Sequence, residues 1–207
     1  MKTEQFSTNK EKANAINEYF IKQATLENVC DSLPQVTFLD CEIDDIKLTV
    51  FEVKEIINTL YTRKATGPDL IHNKLLIAAS EAICVHLTGF FNRCLNEGIF
   101  PFIWKTATVT PVYKKGNATL CNNYRPISLL NCVGKVFERC IQKHVYEFVM
   151  LNNMITQSQS GFLSGDSTTN QLLCIYEYLC SNFDKRIITQ SVYFDMIFPR
   201  LLIVNGT

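Results

Sequence analysis

The sequence predicts an α+β chain that is rich in helix and carries one basic β-hairpin. Three observations lead there. Apolar residues recur at helical intervals in several separate stretches, most regularly over 133–149. One run, Thr106-Ala107-Thr108-Val109-Thr110-Pro111-Val112-Tyr113, alternates instead and is rich in β-branched residues. A second extended run, Tyr124-Arg125-Pro126-Ile127-Ser128-Leu129, returns after a polar loop, as in a hairpin.

The elements follow in order. Around Lys10 to Leu26, Ala13, Ile16, Tyr19 and Phe20 give a short amphipathic helix. Residues 27–48 hold Pro34 and an acidic cluster from Asp40 to Asp45 without a sustained period, so 1–48 reads as a linker with one helix. Thr49 followed by Glu52 is a capping box, and Val53, Ile56, Ile57 and Leu60 form the apolar stripe behind it. Gly67-Pro68-Asp69 is a turn. Ser80 is the expected cap of a helix that buries Ile83, Leu87, Phe90, Phe91 and Leu95 and stops at Gly98. Pro111 restricts the first strand to an edge or a bulge. The long helix turns Val133, Val136, Phe137, Cys140, Ile141, His144, Val145, Phe148 and Val149 to one face. Asp166 or Ser167 caps a further helix with Leu172, Tyr176, Leu179 and Phe183 inward, and a last strand covers about Gln190 to Phe194.

Composition sets the class. Apolar residues make up 47% and charged residues 19%, which excludes the low-hydrophobicity signature of disorder. No apolar run nears the roughly 18 residues of a membrane span, and the polar start from Met1 to Lys22 has no secretory apolar region, so a cytosolic or nuclear setting without membrane contact is expected. Nine cysteines, none in a Cys-x-x-Cys pair, read as reduced thiols. The zero net charge is unevenly spread: Lys plus Arg against Asp plus Glu count 6 to 11 over 1–60, 11 to 5 over 61–150, and 3 to 4 over 151–207. The middle therefore carries a net +6 and suits an anionic partner, although a merely solvated basic face has the same composition.

The chemistry-bearing candidates are few. Lys114 and Lys115 precede the hairpin loop and Arg125 follows it, so two short strands gather three cations that suit a polyphosphate, Arg as a fork and Lys as a point charge. Asp195 ends an apolar strand, where two-metal phosphoryl-transfer enzymes often place a magnesium ligand, although a lone Asp there more often forms a turn. Cys140 and His144 stand four apart, but on the apolar face of their helix, which favours core packing over zinc. The absence of Gly-x-x-x-x-Gly-Lys, Gly-x-Gly-x-x-Gly and Gly-x-Ser-x-Gly disfavours Walker-type hydrolases, Rossmann dehydrogenases and serine hydrolases.

Several longer patterns stand in a fixed order. They are Lys64-Ala65-Thr66-Gly67-Pro68-Asp69, Gly98-Ile99-Phe100-Pro101 with Trp104-Lys105-Thr106-Ala107, and Asn123-Tyr124-Arg125-Pro126-Ile127-Ser128-Leu129-Leu130. Gly134-Lys135-Val136-Phe137-Glu138, Gln159-Ser160-Gly161-Phe162 with Gly165-Asp166-Ser167-Thr168, and Val192-Tyr193-Phe194-Asp195 complete the series. Together they resemble the reverse transcriptases of non-LTR retrotransposons, mobile elements of the jockey kind, from about Thr49 to Asp195. The resemblance implies an RNA-directed DNA polymerase of right-hand architecture, with 49–195 as the fingers and the first part of the palm, an incomplete palm sheet, and 196–207 a divergent tail. It implies an RNA template, a DNA primer and dNTP as partners and Mg²⁺ as cofactor. By matching positions, Lys114, Lys115 and Arg125 would contact the incoming triphosphate, Asp195 would be the first catalytic, Mg²⁺-binding aspartate, and Gln159, Gly161 and Phe162 would lie near template and nucleotide.

The sequence also departs from that pattern. Leu163 stands where many relatives have Arg, Phe198-Pro199-Arg200-Leu201 replaces the expected Lys-Ala-Phe-Asp, and no Tyr-x-Asp-Asp turn occurs before Thr207. The expectation is therefore a truncated polymerase fragment that extends no primer alone. The alternatives are a non-catalytic RNA- or DNA-binding module that keeps the basic fingers, and an aggregating palm fragment with exposed edges.

Overall fold

The structure, a computed structural model, describes residues 8–24, 41–156 and 159–187. Its described residues form two compact units, one running to Val145 and the other starting at Tyr146. The first holds α1 (Asn9–Ala24), α2 (Val50–Asn58), α3 (Asn73–Ala78), α4 (Ser80–Asn96), α5 (Phe102–Lys105), β1 (Ala107–Tyr113), β2 (Tyr124–Leu130) and most of α6 (Cys132–Leu151). The second holds α7 (Thr168–Asp184). The described residues are thus α+β, helix-rich with one two-stranded antiparallel sheet. The strand expected over Gln190 to Phe194, with Asp195, lies outside the described residues. Among the described residues no helix is long and apolar enough to cross a membrane.

Local chemistry explains where the helices start. At α1, the Thr8 hydroxyl accepts from the Glu11 amide at 3.2 Å while the Glu11 carboxylate accepts from the Thr8 amide at 3.1 Å, a closed capping box. At α2 only half of the box forms. The Thr49 hydroxyl accepts from the Glu52 amide at 3.2 Å, but the Glu52 carboxylate turns into the core, where its Oε1 faces His144 Nε2 of α6 at 2.9 Å. The two atoms meet at ion-pair distance without a well-aligned hydrogen bond, and among the described residues neither has a hydrogen-bond partner. His144 is thereby the polar end of the α6 apolar face, opposite a carboxylate.

Two expectations about α4 change. Ser80 does not cap the helix: Ala79 joins α3 to α4 without a spacer, and Ser80 is its buried first residue. The missed α3 and α5 have six and four residues, too few for a helical period to register. The buried stripe of α4 is Cys84, Thr88, Phe91 and Cys94, with Ile83, Leu87 and Leu95 flanking and Phe90 45% exposed. Small residues let this stripe approach its neighbours closely, and the Thr88 hydroxyl is satisfied inside by donating to the Cys84 carbonyl at 2.7 Å. Asn92 clamps the segment before α2, accepting from the Leu48 amide at 2.8 Å and donating to the Leu48 carbonyl at 2.9 Å. Leu48, the last residue of the stretch expected to be linker, is consequently buried.

The core is aromatic at its centre. Phe91, with no exposed surface, lies 5.1 Å from Phe137 and 5.9 Å from Trp104 between ring centroids, and Trp104 lies 5.4 Å from Phe137. Gly134 makes room for this: a Cβ there would stand 3.0 Å from Trp104 Cγ. Four thiols, Cys84, Cys94, Cys132 and Cys140, are buried around the cluster. Desolvation pushes the Cys140 thiol up to about 12, and the Glu52 carboxylate nearby adds to it. Iodoacetamide on the folded protein is therefore expected to label exposed Cys174 and Cys180 and to spare Cys140 until urea is added. Labelling of Cys140 as fast as Cys174, read by peptide mass spectrometry, would contradict the packing.

The second unit departs further from expectation. Of the two caps expected for α7, Ser167 is the one that serves, its hydroxyl accepting from the Asn170 amide at 3.2 Å. Leu172, Tyr176, Leu179 and Phe183 are not inward: all are exposed, Leu179 least at 37%, and α7 buries no residue. The period correctly marks one apolar face, but a period says nothing about what covers it.

Candidate nucleotide and nucleic-acid interface

β1 and β2 pair antiparallel from Ala107↔Leu130 to Tyr113↔Tyr124, which sets Pro111 opposite Pro126. The next pair out, Lys114 and Asn123, is a hydrogen-bonded one, the Lys114 amide donating to the Asn123 carbonyl at 2.8 Å. Because such pairs alternate, Pro111 and Pro126 occupy a non-hydrogen-bonded position, and the N–H each lacks would have faced the outer edge. Both edges of the hairpin are thereby blunted, so Pro111 fits a regular strand without a bulge.

The same register sorts the side chains. Val112 pairs with Arg125, and Lys114 continues that face toward the loop, so Lys114 and Arg125 are diagonal neighbours on one side of the sheet. Tyr113 and Tyr124 meet edge to face on the other side, 5.6 Å between centroids. Lys115 follows in the loop. All three cations are exposed and have no carboxylate partner among the described residues.

The loop is shaped by its own side chains. Asn117 Oδ1 accepts from the Thr119 amide at 2.9 Å, Asn123 Nδ2 donates to the Asn117 carbonyl at 2.7 Å, and the Tyr124 hydroxyl donates to the Ala118 carbonyl at 2.9 Å. The Tyr113 hydroxyl donates to the carbonyl of Gly116, whose φ of +96° favours glycine. These bonds hold the tip in a defined shape.

At its other end the hairpin is anchored by the turn at Gly67. A Cβ at Gly67 would come within 2.6 Å of the Asn131 amide nitrogen, so two backbones touch there. Asp69 binds across the contact, accepting from the Asn131 amide group and, through Oδ1, from the Ile71 amide at 3.2 Å. Asn131 in turn caps α6, its Oδ1 accepting from the Val133 amide at 2.9 Å and the Gly134 amide at 3.2 Å. Gly67, Asp69, Asn131, Trp104 and Gly134 thus serve the architecture that holds the cations, a role composition and spacing do not reveal. Their signal in the sequence is the ordered motif series itself.

Gln159, Gly161 and Phe162 belong to the second unit, in the loop before α7. The Gln159 side chain donates to the Gly161 carbonyl at 3.2 Å, and Gly161 has open space where a Cβ would be. Phe162 is fully exposed with φ +64°, a left-handed conformation that costs an aromatic residue about 1 kcal/mol or more. Nearby, the Ser160 hydroxyl and then the Ser167 amide hold the Asp166 carboxyl below its usual range. The structure brings Lys114 and Arg125 together in one unit and Gln159, Gly161 and Phe162 together in the other. Asp195, expected to ligate Mg²⁺, lies outside the described residues, which hold no group of three or more His, Cys, Asp or Glu able to bind a metal.

No protein-family model matches the chain. Curated relatives do. The chain is 30% identical over 172 residues to a protein named probable RNA-directed DNA polymerase from transposon X-element of Drosophila melanogaster, a match covering 83% of this chain and 19% of that one. It is 29% identical over 175 residues to the probable RNA-directed DNA polymerase from transposon BS of the same fly, covering 84% and 19% respectively. Against the RNA-directed DNA polymerase from mobile element jockey of Drosophila funebris the identity is 30% over 150 residues, 72% of this chain and 16% of the relative. The chain spans less than a fifth of the length of these relatives, and as such a segment it belongs with the RNA-directed DNA polymerases of non-LTR retrotransposons.

Proposed function

We propose that residues 49–195 are the fingers and first palm segment of a right-hand RNA-directed DNA polymerase, and that the hairpin binds the triphosphate of the incoming nucleotide. The observation that carries this reading is the placement of Lys114 and Arg125 on one exposed face of an anchored hairpin, unneutralised by any described carboxylate. Arg125 offers a planar fork to two phosphate oxygens, and Lys114, with Lys115 beyond it, supplies point charge to the others. Gln159, Gly161 and Phe162 would meet the template or its paired nucleotide, and Asp195 would be the first metal ligand. Mg²⁺, when bound, would neutralise the phosphates against which the primer hydroxyl moves.

The test is dNTP binding by equilibrium dialysis. A charge-assisted hydrogen bond is worth about 1.5–3 kcal/mol, so Lys114→Ala combined with Arg125→Ala is expected to lower affinity by more than about tenfold. Wild-type protein that binds no dNTP, or a double variant that binds as well, rejects the reading. A binding module without chemistry keeps the same cations, and neither it nor the truncated fragment is expected to extend a primer alone; Mg²⁺-dependent primer extension by this chain, abolished by Asp195→Asn, would overturn that expectation.

A further inference from the structure

We infer that the turn bearing Tyr61, Arg63 and Lys64 is a second contact, for single-stranded RNA, holding backbone phosphates and one base at the foot of the hairpin whose tip carries Lys114 and Arg125. The inference rests on the nucleic-acid reading above and adds a site to it. Between Glu55 and Asp69 the sequence contains no carboxylate, while Arg63 and Lys64 are both exposed and have no ion-pair partner among the described residues. The nearest acid in sequence to Lys64, Asp69, has its two oxygens engaged by the Ile71 amide and by Asn131. The next acid in sequence, Glu81, is paired with Lys54. The positive charge of the turn is therefore left to solvent.

An aromatic surface lies beside that charge. Tyr61 is 69% exposed, and the Lys64 ammonium sits 5.8 Å from its ring centroid. A flat ring with Lys64 over one face, and with Arg63 two residues along the chain, is the combination that binds single strands, the ring's other face taking a base and the cations the phosphates. The turn is also held in place. The buried Asn73 side chain donates to the Tyr61 carbonyl at 2.9 Å, and Gly67 seats the following residues on the Leu130–Asn131 backbone. Because that seat is the foot of β2, a strand of seven residues, Gly67 at the end of the turn and the cations at the tip stand about 20–24 Å apart along the hairpin. A short single strand can engage both.

Fluorescence anisotropy of a labelled oligouridylate with the full chain tests the assignment. Arg63→Ala with Lys64→Ala is expected to weaken binding about tenfold at ~0.1 M salt and to make the salt dependence of log K shallower by roughly 1.4, two phosphate contacts at ~0.7 each on a single strand. Tyr61→Leu is expected to cost about fivefold with the salt slope unchanged, since stacking releases no counterions. Lys10→Ala with Lys12→Ala, on exposed positions of α1, reports the generic effect of removing two charges and is expected to be near neutral. Unchanged affinity in the Arg63/Lys64 variant, an equal loss in the Lys10/Lys12 variant, or an equal effect of Tyr61→Leu on duplex RNA overturns the inference. Because the proposed nucleotide contact is read by dNTP dialysis of other residues, either reading can fail while the other stands.

Discussion

Gly67→Ala is expected to lower the urea midpoint of unfolding far more than any exposed substitution, although it adds one methyl group. The added Cβ would lie 2.6 Å from the Asn131 nitrogen, 2.7 Å from the Leu130 carbonyl carbon and 2.8 Å from the Asn131 Cα. All three are backbone atoms, so no side-chain rotation relieves the overlap and the turn must leave the hairpin. Overpacking of this kind costs about 1–3 kcal/mol. Separation also breaks the bond from Asn131 to the Asp69 carboxylate, worth about 1.5–3 kcal/mol. The sum, roughly 3–6 kcal/mol, is a large share of the about 5–15 kcal/mol that holds a typical domain together. Gly89 provides the comparison. It lies inside α4 with nothing within 4 Å of a built Cβ, so Gly89→Ala is expected to stabilise by about 0.5–1 kcal/mol. Equal midpoints for the two variants would show that the contact at Gly67 does not bear on stability. Gly67→Ala should also weaken dNTP binding, because the hairpin that presents Lys114 and Arg125 loses its anchor.

The hairpin and its cations were legible because alternation, β-branched residues and flanking Lys and Arg are all local signals. The register was not: nothing local says that Pro111 meets Pro126, which is what allows both prolines in a regular ladder. The capping signal at Thr49 and Glu52 located the start of α2, yet the carboxylate found a partner in His144, ninety-two positions away, by a contact only the tertiary fold creates. On α4 the period placed a face around Ile83, Leu87 and Phe90, while small Cys84 and Thr88 let neighbours approach closely and moved the buried line by about one position. For α7 the period was right about which residues share a face and could not say whether anything covers it. Lys64 was legible as part of an ordered motif, but the exposed charge of the turn gains meaning only from the tertiary bond of Asp69 to Asn131.

Phe91→Ala is expected to have the other large effect, and its cost follows from where the ring sits. Phe91 has no exposed surface and lies within 5.1 Å of Phe137 and 5.9 Å of Trp104 by ring centroids, so its removal leaves a cavity walled by aromatic groups. Such a deletion costs about 3–5 kcal/mol, with the upper part applying where the walls cannot collapse. Collapse is restricted here on two sides. Trp104 is already within 3.0 Å of a Cβ built on Gly134, and it is braced by Phe100 at 5.5 Å, so it cannot move far without losing one contact for another. Phe91→Leu keeps most of the volume and is expected to cost about 1–2 kcal/mol, the loss being mainly the edge-to-face and tilted ring pairs. Phe102, 78% exposed on α5, serves as the surface control, and Phe102→Ala is expected to stay within about 0.5 kcal/mol of wild type. Urea titration of the three variants should order them Phe91→Ala, Phe91→Leu, Phe102→Ala in falling cost. A Phe91→Ala midpoint as high as that of Phe102→Ala would mean that the aromatic cluster does not hold α4 against α6, and that the hairpin is positioned by the Gly67 turn alone.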